Sequence, residues 1–258
     1  MEWMELLKMC IIVCPLVFLA GFIDSAVGGG GLISLPAYLF VGLPVHIASG
    51  TNKVVNATGT ALASWRYFKS GKIQIKPALI AAVGALVGST IGTRIALYLN
   101  QEVLQTIILI ILPVVAVIIA IKKDFGKEGA LPPRDWSRNA EIGISFAIGL
   151  FIGCYDGMIG PGTGTFMMMA FTLVLGMDLV TASGCAKVGN LASNVASAVV
   201  WMLNGQVLYA LVIPAAACSL AGSYFGSQYA IRGGAQKLRG LIFVVLGLLF
   251  LKFLFELI

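Results

Sequence analysis

The chain is short of most of what a soluble protein is built from. Of its 258 residues only 11% are charged, where soluble domains carry roughly 25%. There is one histidine, His46, and the five cysteines (Cys10, Cys14, Cys154, Cys185 and Cys218) form no Cys-x-x-Cys pair and all sit in apolar stretches. These scarcities argue against a disulfide framework and against a thiolate or imidazole metal site. Neither Gly-x-Ser-x-Gly nor His-Glu-x-x-His occurs, so no nucleophile–base set or zinc motif supports an intramembrane enzyme. The expectation is a non-enzyme without cofactor or metal. Long polar stretches are also scarce, Lys122–Glu141 being the exception.

What is present is apolar. Hydrophobic residues make up 59% of the chain and its mean hydropathy is +0.97. Runs near the ~20 residues that span hydrocarbon occur at Leu6–Ile23, Val103–Ile121, Leu208–Ile231 and Leu241–Leu257. They are continuous rather than alternating, which excludes a closed barrel and predicts an all-α polytopic membrane protein. The first run is not read as a signal peptide: Glu2 and Glu5 flank it against Lys8, and its equivalent begins a second copy near Ala140. The net charge of +6 is no argument for nucleic acid, because the cations flank spans.

The chain carries one pattern twice. Gly21-Phe-Ile-Asp24, Gly28–Gly31 and Ala48-Ser-Gly-Thr-Asn-Lys-Val-Val-Asn56 return as Gly153-Cys-Tyr-Asp156, Gly160-Pro-Gly-Thr-Gly164 and Ala182-Ser-Gly-Cys-Ala-Lys-Val-Gly-Asn190. Over Ala48–Ala96 the offset is 134 residues without a gap, while Asp24 and Asp156 match at 132. Residues 1–121 therefore read as a first membrane repeat, 122–141 as a polar cytoplasmic linker with Pro132-Pro133, and 142–258 as a second repeat.

Each half reads as five hydrophobic segments, giving about eight full spans and two short glycine-flanked segments. The short ones, Leu32–Leu43 with a break expected at Pro36 and Phe166–Leu175, are too brief to cross alone, and whether they cross or re-enter stays open. Ile47–Phe68 and Ala182–Leu203 are rich in small residues and suit close helix packing, as do Gly88-x-x-x-Gly92 and Gly222-x-x-x-Gly226. Arg66, Lys69, Lys72 and Lys76 form one basic cluster, Lys122, Lys123, Lys127, Arg134 and Arg138 a second, and Arg232, Lys237 and Arg239 a third. An odd number of segments per half puts all three on one side, cytoplasmic by the positive-inside rule, with both termini outside and the halves inverted.

Five charges remain at membrane depth: Asp24, Lys53, Arg94, Asp156 and Lys187. Each costs at least about 2.5–3.5 kcal/mol on insertion scales, which makes it a functional candidate. Arg94 lies near a helix end and can snorkel. The other four recur in register. Glycine cusps before short helices offer backbone N–H groups to an anion. The expected substrate-binding set is Lys53, Lys187, Asn56, Asn190, Thr51, Asn52, Gly29, Gly30, Gly162 and Thr163, with the two lysines sharing one central site. Asp24 and Asp156 are the candidates for proton coupling. A structural alternative pairs Lys53 with Asp24 and Lys187 with Asp156.

These motifs, with Gly-Phe-Ile-Asp-x3-Gly-Gly-Gly-Gly-Leu-Ile-x2-Pro foremost, resemble the TauE/SafE, or sulfite exporter, family over nearly the whole chain. The resemblance implies a multi-pass secondary transporter of the bacterial-type cytoplasmic (inner) membrane, for sulfite, a sulfonate or another small organosulfur anion. Substrate would be held between inverted repeats with alternating access. A passive anion channel is the alternative. The expected partners are the lipid bilayer and the anion, with proton coupling and a homodimer left open.

Overall fold

The computed structural model describes residues 3–121 and 136–257, with side chains over 3–111 and 136–233. Among the described residues every regular element is a helix. In chain order they are α1 (Trp3–Val27), α2 (Gly31–Phe40), α3 (Val45–Lys69), α4 (Ile75–Tyr98), α5 (Gln101–Ile121), α6 (Arg138–Met158), α7 (Thr163–Leu175), α8 (Leu179–Leu203) and α9 (Tyr209–Leu257).

Four of these, Trp3–Val27, Ile75–Tyr98, Arg138–Met158 and Tyr209–Gly233, are long and apolar enough to cross a membrane. These four are counted among the residues whose side chains are described, which leave out the C-terminal parts of α5 and α9. Helices α3 and α8 have the length, 25 residues each, but their buried faces are polar: Asn52, Lys53 and Thr60 on one, Lys187, Asn190, Ser193 and Asn194 on the other. Enclosed by the other helices, they carry polar groups that a lipid-facing helix could not.

Two expectations change. Pro36 lies inside α2 rather than ending it; the missing N–H removes one rung, and the helix stops within a turn at Phe40. The two spans expected after Leu208 are one helical element of 49 residues, about 73 Å long. No proline interrupts the backbone ladder between Arg232 and Arg239, so the third basic cluster lies in helix and not in a turn. Of the proposed linker, residues 122–135 lie outside the described residues, and α6 already begins at Arg138.

Equivalent positions make reciprocal contacts. A Cβ on Gly88 would overlap the Leu150 carbonyl and one on Gly92 that of Cys154; Gly222 and Gly226 stand in the same relation to Phe18 and Phe22. These glycines let α4 lie along α6, and α9 along α1, with backbones in contact. Likewise the Leu208 N–H donates to Thr51 Oγ1 (3.0 Å) and the Gln74 N–H to Cys185 Sγ (3.4 Å). Gly50 packs on Trp201 and Gln206 near one end of α3, and Tyr67 hydrogen-bonds Ser183 near the other. Helices α3 and α8, equivalent in sequence, therefore run antiparallel through the centre.

Candidate functional site

Helices α1 and α6 each stop at a glycine that adopts a left-handed conformation, Gly28 (φ 88°) and Gly160 (φ 94°). A residue with a Cβ is strained there. Each stop leaves an aspartate in the last turn, Asp24 and Asp156, facing the centre. The two cusps touch: a Cβ on Gly28 would overlap the Gly164 backbone. The Thr165 N–H donates to the Gly28 carbonyl (3.1 Å) and its hydroxyl to the Val27 carbonyl (3.0 Å). One of the amides expected to be free for an anion is thus bound within the protein.

The lysines enter from α3 and α8. Lys53 Nζ lies 2.7 Å from Asp156 Oδ1, and Lys187 Nζ donates to Asp24 Oδ2 at 2.9 Å. The pairing is crossed between the halves, which corrects the alternative that kept each pair within its own half. Antiparallel docking of α3 on α8 sets each lysine against the other half's cusp. Asp156 also accepts from the Ser193 hydroxyl. Its side chain is 3% exposed, whereas that of Asp24 is 22% exposed.

Between the pairs runs a polar ladder. Asn56 Nδ2 donates to Asn52 Oδ1 (3.2 Å), and Asn194 Nδ2 donates to Asn190 Oδ1 (3.0 Å) and to Thr60 Oγ1 (3.4 Å). Thr60 and Asn194 are equivalent positions, so their contact marks the centre. Lys53 and Lys187 each lie seven residues before it, about 10 Å of helix. Because the helices are antiparallel, the two lysines approach that centre from opposite ends.

A cavity of about 20 Å³ sits at this centre, room for about one water. Lys53, Asn52, Asn56, Asn190, Gly162, Thr163, Asp24 and Asp156 of the expected set line it. Thr51, Gly29, Gly30 and Lys187 are not part of its wall. Thr51 is fully buried and holds the start of α9 through the Leu208 N–H. A Cβ on Gly30 would overlap the Ala20 carbonyl, so that glycine allows the cusp to fold back on α1. Lys187 reaches the cavity only through Asp24.

Asn194, Thr60, Ser193, Gly28 and Gly160 were missed from the sequence. Asn190/Asn194 and Asn56/Thr60 are i, i+4 pairs, so following the lysine face one further turn finds two of them. Ser193 lies three residues after Asn190, on the same side of α8. The cavity-forming helices start without side-chain caps, at Gly30 for α2 and at Gly162 (φ 86°) for α7. Among the described residues no group of three or more His, Cys, Asp or Glu is placed to hold a metal. His46 Nε2 lies 3.2 Å from the Ala96 and 3.1 Å from the Leu99 carbonyl oxygens, at the end of α4. Arg94 is exposed and lines an open 450 Å³ groove beside Tyr98, Asn204 and Gln206, away from the ion pairs.

Comparison with known proteins gives a family model described as sulfite exporter TauE/SafE, matching residues 13–253. Among curated relatives, "Probable membrane transporter protein ORF9" of Sinorhizobium sp. is 32% identical over 233 residues, covering 88% of this chain and 85% of the relative. "Probable membrane transporter protein" of Haemophilus influenzae is 27% identical over 239 residues, covering 93% and 92%. "Probable membrane transporter protein YfcA" of Escherichia coli K12 is 28% identical over 245 residues, covering 92% and 87%. No solved structure matches significantly.

Proposed function

The chain belongs to the sulfite exporter TauE/SafE family, and from that membership we propose that it is a secondary transporter moving a small anion across a bacterial-type cytoplasmic membrane. The anion is sulfite, a sulfonate or a related organosulfur species. It binds between two inverted repeats that rock about the α3–α8 contact to expose the site alternately to each side. The basic cluster that follows α3 faces the cytoplasm and the N-terminus lies outside.

One observation carries the reading: two buried lysine–aspartate pairs, crossed between the halves, flank a small polar cavity where the two glycine cusps meet. Ion pairs at such depth are costly, and a transported anion that exchanges with one partner gives them a use. The antiparallel course of α3 and α8 and the reciprocal glycine contacts favour inversion of the repeats. The names of the relatives favour a membrane transporter. The cavity is far smaller than an organosulfur anion, which fits an occluded conformation.

Uptake of radiolabelled sulfite, sulfoacetate, methanesulfonate and sulfate into proteoliposomes, with and without a pH gradient, tests this. Saturable flux of one or more of the anions is expected. Non-saturating flux at rates far above those of carriers would favour the channel, and an absence of flux for the whole panel would refute anion transport.

A further inference from the structure

The four charged groups at the centre sum to zero: Lys53 and Lys187 against Asp24 and Asp156. The sum is zero whichever member of each pair holds the shared proton. An anion entering this enclosure would leave it with an uncompensated negative charge, at a cost of several kcal/mol in so poorly hydrated a site. Resting on the anion-transport reading, we propose that each unit of negative charge bound brings one proton into the site, and that Asp24 is the carboxylate that receives it.

The two aspartates are not equivalent, although their positions are. Asp156 is held by Lys53 and by the Ser193 hydroxyl and is 3% exposed. Asp24 accepts from Lys187, lines the cavity and is 22% exposed. At the position equivalent to Ser193 the first half has Gly59, which offers no hydroxyl. Asp24 therefore has fewer bonds to lose and a path to water.

The groups around Asp24 leave it the carboxylate that can change charge. Lys187 faces it from α8, Lys53 and Asp156 share the cavity from α3 and α6, and Tyr67 of α3 hydrogen-bonds the neighbouring Ser25 carbonyl (3.1 Å). Helices α2 and α7 carry no charged side chain, and over 209–233, where the side chains of α9 are described, Arg232 is the sole one. In the step itself a solvent proton moves onto a carboxylate oxygen of Asp24, the Lys187–Asp24 pair opens, and Lys187 donates to the anion instead. Two positive charges then face one carboxylate and one anion, and the site is neutral again.

Methanesulfonate stays ionised across the working pH range and so brings no proton of its own. Calorimetric titration of the full chain in nanodiscs, in two buffers of different ionisation enthalpy, is expected to return uptake of about one proton per anion, with affinity falling about tenfold per pH unit above the pKa of the coupling group. Infrared difference spectra should show a carboxylic-acid carbonyl band on binding, displaced in Asp24→Glu and unmoved in Asp156→Glu. In Ser193→Ala, where Asp156 loses its second donor, a second component should appear. Binding without proton uptake would overturn the proposal and leave anion transport standing. A band that follows Asp156→Glu would overturn the assignment to Asp24. If methanesulfonate, sulfite and sulfate all fail to bind, the anion reading falls and the proposal with it. The calorimetry uses the unmodified protein, so misfolded variants would not protect the proposal.

Discussion

Lys53 illustrates how much one side chain decides. Its ammonium meets a carboxylate that is 3% exposed, so Lys53→Met leaves Asp156 charged, buried and supported by Ser193 alone. A loss of about 3–5 kcal/mol of stability is expected. Lys187→Met leaves Asp24, which is 22% exposed, and its cost should be smaller, about 1–3 kcal/mol. Denaturant unfolding in one detergent compares the two, and equal costs would contradict the asymmetry of the pairs. In the Lys53→Met variant that remains folded, anion binding should also weaken by about 2–5 kcal/mol, as for one partner of a buried charge pair. Lys53→Arg should not rescue it, because a Cβ on Gly160 would already lie 3.2 Å from the lysine Nζ, leaving little room for a planar guanidinium. Binding by Lys53→Arg at the parent's affinity, read by calorimetry, would show that the cavity tolerates the larger head.

Among the elements, the paired helices α1/α9 and α4/α6 depend on glycine at the point of contact. Gly88→Ala or Gly92→Ala pushes a methyl group into the Leu150 or Cys154 carbonyl, and Gly222→Ala or Gly226→Ala does the same against Phe18 or Phe22. Backbone against backbone cannot give way by rotating a side chain, so each change should cost about 1–3 kcal/mol. Gly143→Ala on α6 is the control, since nothing lies within 4 Å of the added carbon. It should gain about 0.5–1 kcal/mol from helix propensity. Thermal unfolding of the five variants checks both signs, and a neutral Gly88→Ala would mean the helices are less closely apposed.

For the whole molecule, the antiparallel course of α3 and α8 puts the connection after Lys69 and the one around Gly205 at opposite ends. At the first, Arg66 lies over the Tyr224 ring (4.0 Å) and Lys69 over Trp65 (4.8 Å), the aromatic and cationic mixture of a membrane interface. With the five native cysteines replaced, Ser70→Cys should resist an impermeant thiol reagent in intact cells, and Gly205→Cys should react. The opposite pattern would reverse the orientation. Labelling of both from outside would rule out a single crossing between them.

How much of this is legible in one dimension depends on the range of the interaction. Hydropathy, the doubled motif and the rarity of charge are properties of local windows and of register, so the sequence alone determined a helical membrane protein with two related halves. It also isolated Asp24, Lys53, Asp156 and Lys187, because charge in an apolar run is costly wherever the run folds. Which aspartate each lysine meets was a matter for tertiary structure, since partners more than 100 residues apart are chosen by how α3 docks on α8. The same docking put Thr51 at the start of α9 instead of in the cavity, set Lys187 behind Asp24, and gave Asp156 a serine where Asp24 has none. A duplicated sequence predicts equal sites; the differences between its copies acquire meaning only once the copies face each other.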